Sequence, residues 1–256
     1  MSNLNGKDAV KAGLVQALLG CDNSIKPINT MTFNIHRNED ASPATINQFI
    51  KVQFASALAA NEVVVIALQE VLLRDVPQLS KDFNYEFRGL IAGNLVSPTG
   101  TGFTEYGDMI MSNHPIEAFV NEELTICTGQ VEPRGLVGFL IQGVWYMNTH
   151  LSHVSAAVRQ CQTTNIVNRL QALTTLGLDT SKTILMGDFN FQPAEASHGV
   201  LIADGFSDNG VDNTFNAVNP FKRIDYHFFK GVNHVSQVVL PNVLSDHRAV
   251  KAKFTQ

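Results

Sequence analysis

Short apolar runs bounded by turn residues are the feature that most limits what this chain can fold into. Nine runs of 4–8 residues lie beside Gly, Pro, Asn or Asp, as β-strands do. They cover residues 28–35, 63–68, 85–90, 108–111, 136–141, 144–148, 183–186, 224–229 and 249–254. Because strands outnumber helices, the pattern argues against a simple doubly wound sheet. It favours stacked sheets with helices on the outside.

Two longer segments have helical rather than strand periodicity. In residues 45–60 the apolar positions recur every four residues, and Ser42-Pro43 just before them is a typical helix start. Residues 155–176 form the second pattern, with Ile166, Leu170 and Leu173 on one face. Residues 89–107 lack clear periodicity and are rich in Gly, Thr and Ser. They predict a long loop, which is either functional or a tolerated surface insertion.

Length and charge limit the class of protein. The chain has 256 residues, 45% of them hydrophobic, and a formal net charge of −5. This excludes a disordered chain, and the length fits one large domain or two small ones. We expect a single domain over residues 1–256, with residues 1–27 as an N-terminal helical extension. No apolar run is long enough to span a membrane, so we expect no stable membrane insertion. No run of five or more basic residues occurs either, which argues against broad, charge-driven nucleic-acid binding. A local basic patch or a metal ion remains an alternative source of positive charge.

The cysteines suggest a reducing environment. Cys21, Cys127 and Cys161 are scattered and form no CxxC pair, so we interpret them as isolated apolar residues rather than as disulfide partners or zinc ligands. The N-terminus lacks the order of segments that marks a secretory signal. A cytoplasmic location is therefore the expectation, although a mature secreted chain would look similar.

Polar residues at the ends of apolar runs carry the chemistry. The strongest case is Gly187-Asp188-Phe189-Asn190. In an extended chain, residues two apart point the same way, so Asp188 and Asn190 can face one cation, water or phosphate oxygen. The alternative is an ordinary turn, since Gly, Asp and Asn all favour turns.

Polar residues within or just after apolar runs recur along the chain. In each case the alternative is a structural hydrogen bond or a surface pair. The further positions are Asn34, Glu70, His150, Asp225, Asp246 and His247. This set combines several oxygen ligands with two histidines and has no thiolate cluster, so it favours Mg²⁺ or Mn²⁺ over zinc. A hard cation with histidines suits the attack of water on a phosphate ester.

The order of these motifs resembles the endonuclease/exonuclease/phosphatase superfamily, which has the DNase I-like fold. The matching elements are Asn34, Gln69-Glu70, Arg134, Thr149-His150, Gly187-Asp188-Phe189-Asn190, Ile224-Asp225-Tyr226 and Ser245-Asp246-His247. The resemblance runs from residue 28 to the end. It implies an α/β fold, a four-layer α/β sandwich of two packed sheets flanked by helices.

The resemblance also implies ligands for metal and phosphate. Glu70 corresponds to the main metal carboxylate and Asp246 to a further one, while Asn34 resembles the family's first-strand Asn beside both metal and phosphate. Arg134 is similar to the family's Arg-Gly and would bind phosphate, with a surface arginine as the alternative. Tyr106 matches more loosely, as a substrate contact or as packing.

The remaining matches imply groups that act on protons and phosphate. Asp188 resembles the residue that orients or deprotonates the attacking water, and Asn190 a donor to the phosphate. His247 resembles the histidine that contacts the phosphate or acts as base, and Asp225 the carboxylate that orients it. His150 resembles the second histidine, near the phosphate or leaving group.

The substrate is less constrained than the site. The breadth of the family favours nucleic-acid phosphodiesters, and hence a Mg²⁺-dependent nuclease. The alternatives are a phospholipid or phosphoinositide phosphatase and a sphingomyelinase-like phosphodiesterase. The Trp-rich signature of abasic-site endonucleases is absent, since Trp145 is the only tryptophan. An inactive binding module is disfavoured because suitable residues occupy every expected position. No obligate protein partner is evident.

Overall fold

The computed structural model describes residues 25–96 and 103–256, which form eleven strands and four α-helices. The strands are β1 (Ile28–Asn34), β2 (Val63–Leu72), β3 (Tyr85–Val96), β4 (Phe103–Ser112), β5 (Ala118–Glu123), β6 (Gly135–Ile141), β7 (Val144–His150), β8 (Thr183–Asp188), β9 (Asp225–Lys230), β10 (Asn233–Val239) and β11 (Val250–Thr255). The helices are α1 (Pro43–Ala59), α2 (Val76–Ser80), α3 (Ala156–Thr175) and α4 (Ala196–Ala203). Single 3₁₀ turns cover His36–Asn38 and Leu73–Asp75.

The strands form two mixed sheets. The first has the order β10-β11-β1-β2-β4-β3 and the second the order β5-β6-β7-β8-β9. Each sheet contains one parallel pair, β1 with β2 and β7 with β8. Polar residues lie at or near the carboxyl ends of these four strands, and this arrangement positions the site described below.

Three apolar layers hold the sheets and helices together. One lies between α1 and the first sheet and includes Ile46, Ile50 and Phe54. A second lies between the sheets, and the third packs Ile166 and Leu170 of α3 against the second sheet. The order helix, sheet, sheet, helix is the four-layer sandwich predicted from the sequence. Both long helices begin after a serine whose side chain accepts a backbone N–H bond, Ser42 for α1 and Ser155 for α3.

Several local predictions were incomplete or wrong. Strand β10 was missed because it is an edge strand with a largely exposed face, and β5 was missed as well. The predicted loop over residues 89–107 is wrong wherever the chain is described, because β3 and β4 pair there as a hairpin. Register shifts between Gly89 and Ala92, and again between Ala92 and Leu95, break the two-residue period that identifies a strand.

The N-terminal prediction is largely outside the described residues. Residues 1–24 of the expected helical extension are not described, and residues 25–27 lead into β1 without helix. Along residues 25–96 and 103–256, no helix is both long and apolar enough to cross a membrane.

Two of the three cysteines are not isolated, which corrects the sequence interpretation. Cys127 and Cys161 form a disulfide with their Cα atoms 6.1 Å apart. It joins the segment between β5 and β6 to helix α3. The two residues are 34 positions apart, and spacing alone does not reveal such a pairing. Because disulfides persist mainly in oxidising compartments, the cysteines no longer favour the cytoplasm.

His227 makes the stability of this fold sensitive to acid. Its ring is fully buried in β9 against Phe254 of the other sheet, and neither nitrogen has a hydrogen-bond partner among the described residues. Burial lowers its pKa from 6.5 to about 3. Between about pH 6.5 and pH 3, the His227 ring therefore binds a proton in the unfolded chain but not in the folded chain. We expect this residue alone to lower the free energy of unfolding by about 1.4 kcal/mol per pH unit between roughly pH 6 and pH 3.

The His227→Phe variant tests this expectation. Its stability relative to the wild type should rise as the pH is lowered from 7.5 to 4.5, as measured by urea unfolding at each pH. His153→Gln serves as the control, because the His153 side chain is 64% exposed. A difference between His227→Phe and wild type that stays constant with pH would contradict the assignment.

Candidate active site

The site lies where polar residues end the central strands of both sheets. Asn34 ends β1 and stands opposite Gln69 of β2, whose next residue is Glu70. In the other sheet, His150 ends β7 and stands opposite Asp188 at the end of β8. The sandwich brings these two strand ends together, so residues far apart in sequence meet.

Asn34 connects carboxylates that come from the two sheets. Its buried side-chain nitrogen donates to Glu70 Oε1 at 3.2 Å and to Asp188 Oδ2 at 3.1 Å. Its Oδ1 accepts from the backbone N–H of His36 at 3.0 Å, which fixes the amide. The amide therefore sets the distance between the predicted metal carboxylate and the predicted water-orienting carboxylate.

An irregular backbone directs Glu70 into the cleft. The pairing of β2 with β4 shifts register between Leu68 and Val71, and Glu70 inside this interruption has a φ of 57°. A left-handed conformation is unfavourable for a residue with a side chain, and such outliers cluster at functional sites. Arg37 forms an ion pair with Glu70, and the Arg37 Nε lies 3.5 Å from Glu70 Oε2.

His247 stands between two buried carboxylates. Its Nδ1 lies 3.1 and 3.0 Å from the two oxygens of Asp225, and its Nε2 lies 3.6 Å from Asp188 Oδ2. Burial opposes protonation of His247, but the negative charges of Asp225 and Asp188 outweigh it and raise the pKa. Burial likewise raises the pKa of Asp188, against the attraction of His247. His247 therefore has one ring nitrogen, Nδ1, held by Asp225, and the other, Nε2, beside Asp188 at the cleft.

His150 has the opposite electrostatic character. Burial, followed by the positive charge of Arg134, lowers its pKa well below 6.5, so the ring is neutral. Its Nε2 lies 3.1 Å from Asn190 Nδ2 and 3.5 Å from Asp188 Oδ2. The backbone N–H of Asn190 donates to Asp188 Oδ1 at 2.9 Å. Asp188 and Asn190 thus share one corner of the site, as their spacing predicted.

Arg134 and Tyr106 reach the same cleft and share a partner that the sequence did not suggest. The Arg134 side chain is 3% exposed, and its Nη2 forms an ion pair with Glu132 Oε1. The Tyr106 hydroxyl donates to the other oxygen, Glu132 Oε2, at 2.5 Å. Tyr106 and Arg134 are therefore neighbours that both line the cleft. Glu132, only two residues before Arg134, was missed because a Glu-Pro-Arg sequence reads as a polar turn.

Asp108 is a second residue that sequence reasoning missed. Burial raises its pKa to about 7, although Arg134 pulls in the other direction, and its carboxylate accepts the backbone N–H of His150. With Tyr106, Arg134 and His150 it lines a recess of about 10 Å³, about enough for one water. The sequence contained a sign of this position. Residues two apart on a strand share a face, and Asp108 follows Tyr106 at that spacing in β4.

These residues surround one open cleft with a volume of about 320 Å³. Its lining residues are His36, Arg37, Glu70, Tyr106, Glu132, Arg134, His150, His153, Asp188, Asn190, Asp246 and His247. Of the predicted site residues, only Asn34 and Asp225 do not line the cleft, and both contact residues that do. The sequence-based set is therefore brought together, while the role of each residue stays a prediction.

The oxygen donors of the cleft fit a hard divalent cation. Glu70 and Asp246 both line it, and Asn34 contacts Glu70; carboxylate and amide oxygens are the ligands such ions prefer. Asp246 also belongs to a cluster with His36 and Asp40. Its Oδ1 lies 3.7 Å from Nδ1 of His36. The identity of the cation and its full ligand set remain predictions.

Comparisons with known proteins identify the family and its fold. A model of the Endonuclease/Exonuclease/phosphatase family matches residues 31–247. Among solved structures, a functionally unknown conserved protein from Enterococcus faecalis V583 is 21% identical, with a TM-score of 0.65 and coverage of 89% of this chain and 99% of that one. A mannosyl-6-phosphatase from Bacteroides thetaiotaomicron VPI-5482 is 16% identical, with a TM-score of 0.66 and coverage of 90% and 100%. The human Nocturnin catalytic domain with bound sulfate is 19% identical, with a TM-score of 0.66 and coverage of 90% and 93%. No curated protein sequence matches significantly.

The solved structures show the shared fold, and the family match extends over well more than half of the chain. The residues that carried the sequence resemblance lie together around one cleft in that fold. The chain therefore belongs to the endonuclease/exonuclease/phosphatase family, whose members are enzymes that hydrolyse phosphate esters.

Proposed function

We propose that the protein is a metal-dependent phosphodiesterase that cleaves nucleic acids by direct attack of water on phosphorus. The observation that carries the hydrolytic part is the continuous line of contacts Asp225, His247, Asp188, Asn34 and Glu70. It places a proton-handling pair directly beside an oxygen-rich cation site. The choice of nucleic acid rests on the breadth of the family.

In this proposal the acidic residues divide between the cation and the water. Glu70, Asn34 and Asp246 would hold the divalent ion, which supplies Lewis-acid stabilisation of negative charge on the phosphate when bound. Asp188 orients the water and accepts its proton. The carboxylate is suited to this because Asn34 and the Asn190 N–H hold its two oxygens in place.

Histidines and donors act on the phosphate itself. Asp225 holds Nδ1 of His247, so Nε2 presents an N–H to a phosphate oxygen or a proton to the leaving group. Asn190, Arg134 and Tyr106 supply further donors to the phosphate. His150, being neutral, donates or accepts at the leaving-group side without adding charge.

A phosphomonoesterase is the second candidate, and the charge of the cleft favours it. Four carboxylates line the cleft against two arginines, and no lysine is among its described lining residues. A duplex or a long single strand usually needs a basic surface. A small soluble phosphate ester, such as a sugar phosphate, needs only the phosphate donors and the cation.

One substrate panel separates these candidates. Supercoiled plasmid, mannose 6-phosphate, an inositol phosphate and sphingomyelin vesicles are each incubated with Mg²⁺, with and without chelator, and product release is measured. Chelator-sensitive nicking that accompanies little phosphate release supports the nuclease. Phosphate release without nicking replaces it with the monoesterase, and headgroup release from vesicles replaces it with a lipid enzyme. Turnover that survives chelation contradicts metal dependence.

A further inference from the structure

Arg134 and Tyr106, the two phosphate donors on one wall of the cleft, already hold an anion. Each contacts a different oxygen of the Glu132 carboxylate. A carboxylate that receives two donors in this way imitates two oxygens of a phosphate, because both anions are recognised by the same donors.

The charge balance explains why an anion is needed here in the free enzyme. Arg134 is almost completely buried, and its Nε has no hydrogen-bond partner among the described residues. A buried cation without a counter-charge is strongly unfavourable. Asp108 also attracts Arg134, but Glu132 forms the direct ion pair with it. The Glu132 side chain remains 23% exposed at the cleft, so an incoming phosphate has access to the same place.

The backbone beside Glu132 is fixed, whereas its side chain is not enclosed. The Glu132 carbonyl accepts from Gln130 Nε2 at 2.7 Å, and Gln130 Oε1 accepts from Cys127 N and Gln162 Nε2, both at 3.1 Å. The disulfide ties Cys127 to α3. Exchange of Glu132 for a ligand therefore needs a rotation of one side chain rather than movement of the whole segment.

We propose that Glu132 is an internal competitor for the substrate phosphate. Its carboxylate occupies Arg134 and Tyr106 in the free enzyme, the phosphate of the substrate displaces it, and it returns when the product leaves. Glu132 thereby weakens the binding of substrate and of phosphate product alike. The inference rests on the proposed function only for the identity of the displacing anion.

The test measures the binding of inorganic phosphate in the presence of chelator, so that it needs neither metal nor turnover. Glu132→Gln keeps the size of the side chain and removes its charge. We expect it to lower the Kd for phosphate at least tenfold, as measured by calorimetry. Glu39→Gln is the matched control, because it removes one charge close to Arg37 and His36 without touching Arg134 or Tyr106. Its effect should be less than threefold.

Two further measurements keep the test decisive. The decrease in the Kd for phosphate should vanish in the double variant Glu132→Gln with Arg134→Ala. Glu132→Asp, which keeps the charge on a shorter side chain, should lower the Kd less than Glu132→Gln does. With an active substrate, KM should fall while kcat stays within about twofold. Weaker phosphate binding or a higher KM in Glu132→Gln would show that Glu132 instead positions Arg134. A decrease in Kd no larger than that of Glu39→Gln would show that the effect comes only from the net charge. Either result overturns the proposal. A failed hydrolysis assay leaves the phosphate measurement valid and counts against the proposed function alone.

Discussion

The His247→Ala variant is expected to lose at least about 10³-fold in kcat, the upper part of the range for a positioned acid–base group. Its Nδ1 is held by both oxygens of Asp225 and its Nε2 is aimed at Asp188, so no other described side chain in the cleft has the same pair of partners. The loss should appear in kcat more than in KM, because the proton is handled in the transition state.

The controls for this prediction use neighbouring residues. His153→Ala removes a histidine that lines the same cleft but is 64% exposed, and it should keep activity within a few-fold of wild type. Asp225→Asn should give a smaller loss than His247→Ala, and the two changes together should cost little more than His247→Ala alone, since they act as one unit. A thermal unfolding curve accompanies each variant. Near wild-type turnover in a folded His247→Ala protein would remove this residue from the mechanism.

Glu70→Gln should raise the Mg²⁺ concentration for half-maximal activity by at least about tenfold, with activity partly restored at saturating metal. The expectation follows from its place on the wall of an oxygen-rich cleft, where a neutral amide is a much weaker ligand for a hard cation than a carboxylate. The Asn34 amide should remain in place through its contact with Asp188, which limits structural damage.

Metal binding must be measured separately from turnover. Mn²⁺ binding followed by electron paramagnetic resonance should weaken in Glu70→Gln to a similar extent as the Mg²⁺ requirement rises. Glu39→Gln, near the same rim, should leave both unchanged. An unaltered metal requirement in Glu70→Gln, with lower activity at every Mg²⁺ concentration, would assign Glu70 to another role.

The sequence predicted the parts of the site that are local. Asp188 and Asn190 were recognisable because a two-residue spacing on an extended chain fixes a common direction, and the ends of the apolar runs located His150 and Glu70. The four-layer order required the family resemblance, since periodicity identifies elements but not how sheets stack.

The rest depended on tertiary contacts that no local pattern contains. Glu132 became part of the site only through its partners, one two residues away and the other on β4. The disulfide joins residues 34 positions apart. The edge strand β10 was missed because none of its residues is buried, so the strand lacks the buried half of the usual alternating pattern.

The disulfide between Cys127 and Cys161 has a practical consequence for anyone who prepares this protein. In a reducing expression host, the segment that carries Glu132 and Arg134 would lose its covalent link to α3 and would be held there by hydrogen bonds such as those from Gln162 to Gln130 and from Asn165 to Thr125. Reduced and oxidised batches would then differ in how this wall of the cleft is tethered, while they share one sequence and differ in mass by only two hydrogen atoms. A free-thiol assay should accompany every kinetic constant, because a mixture of the two forms would give rates that describe neither.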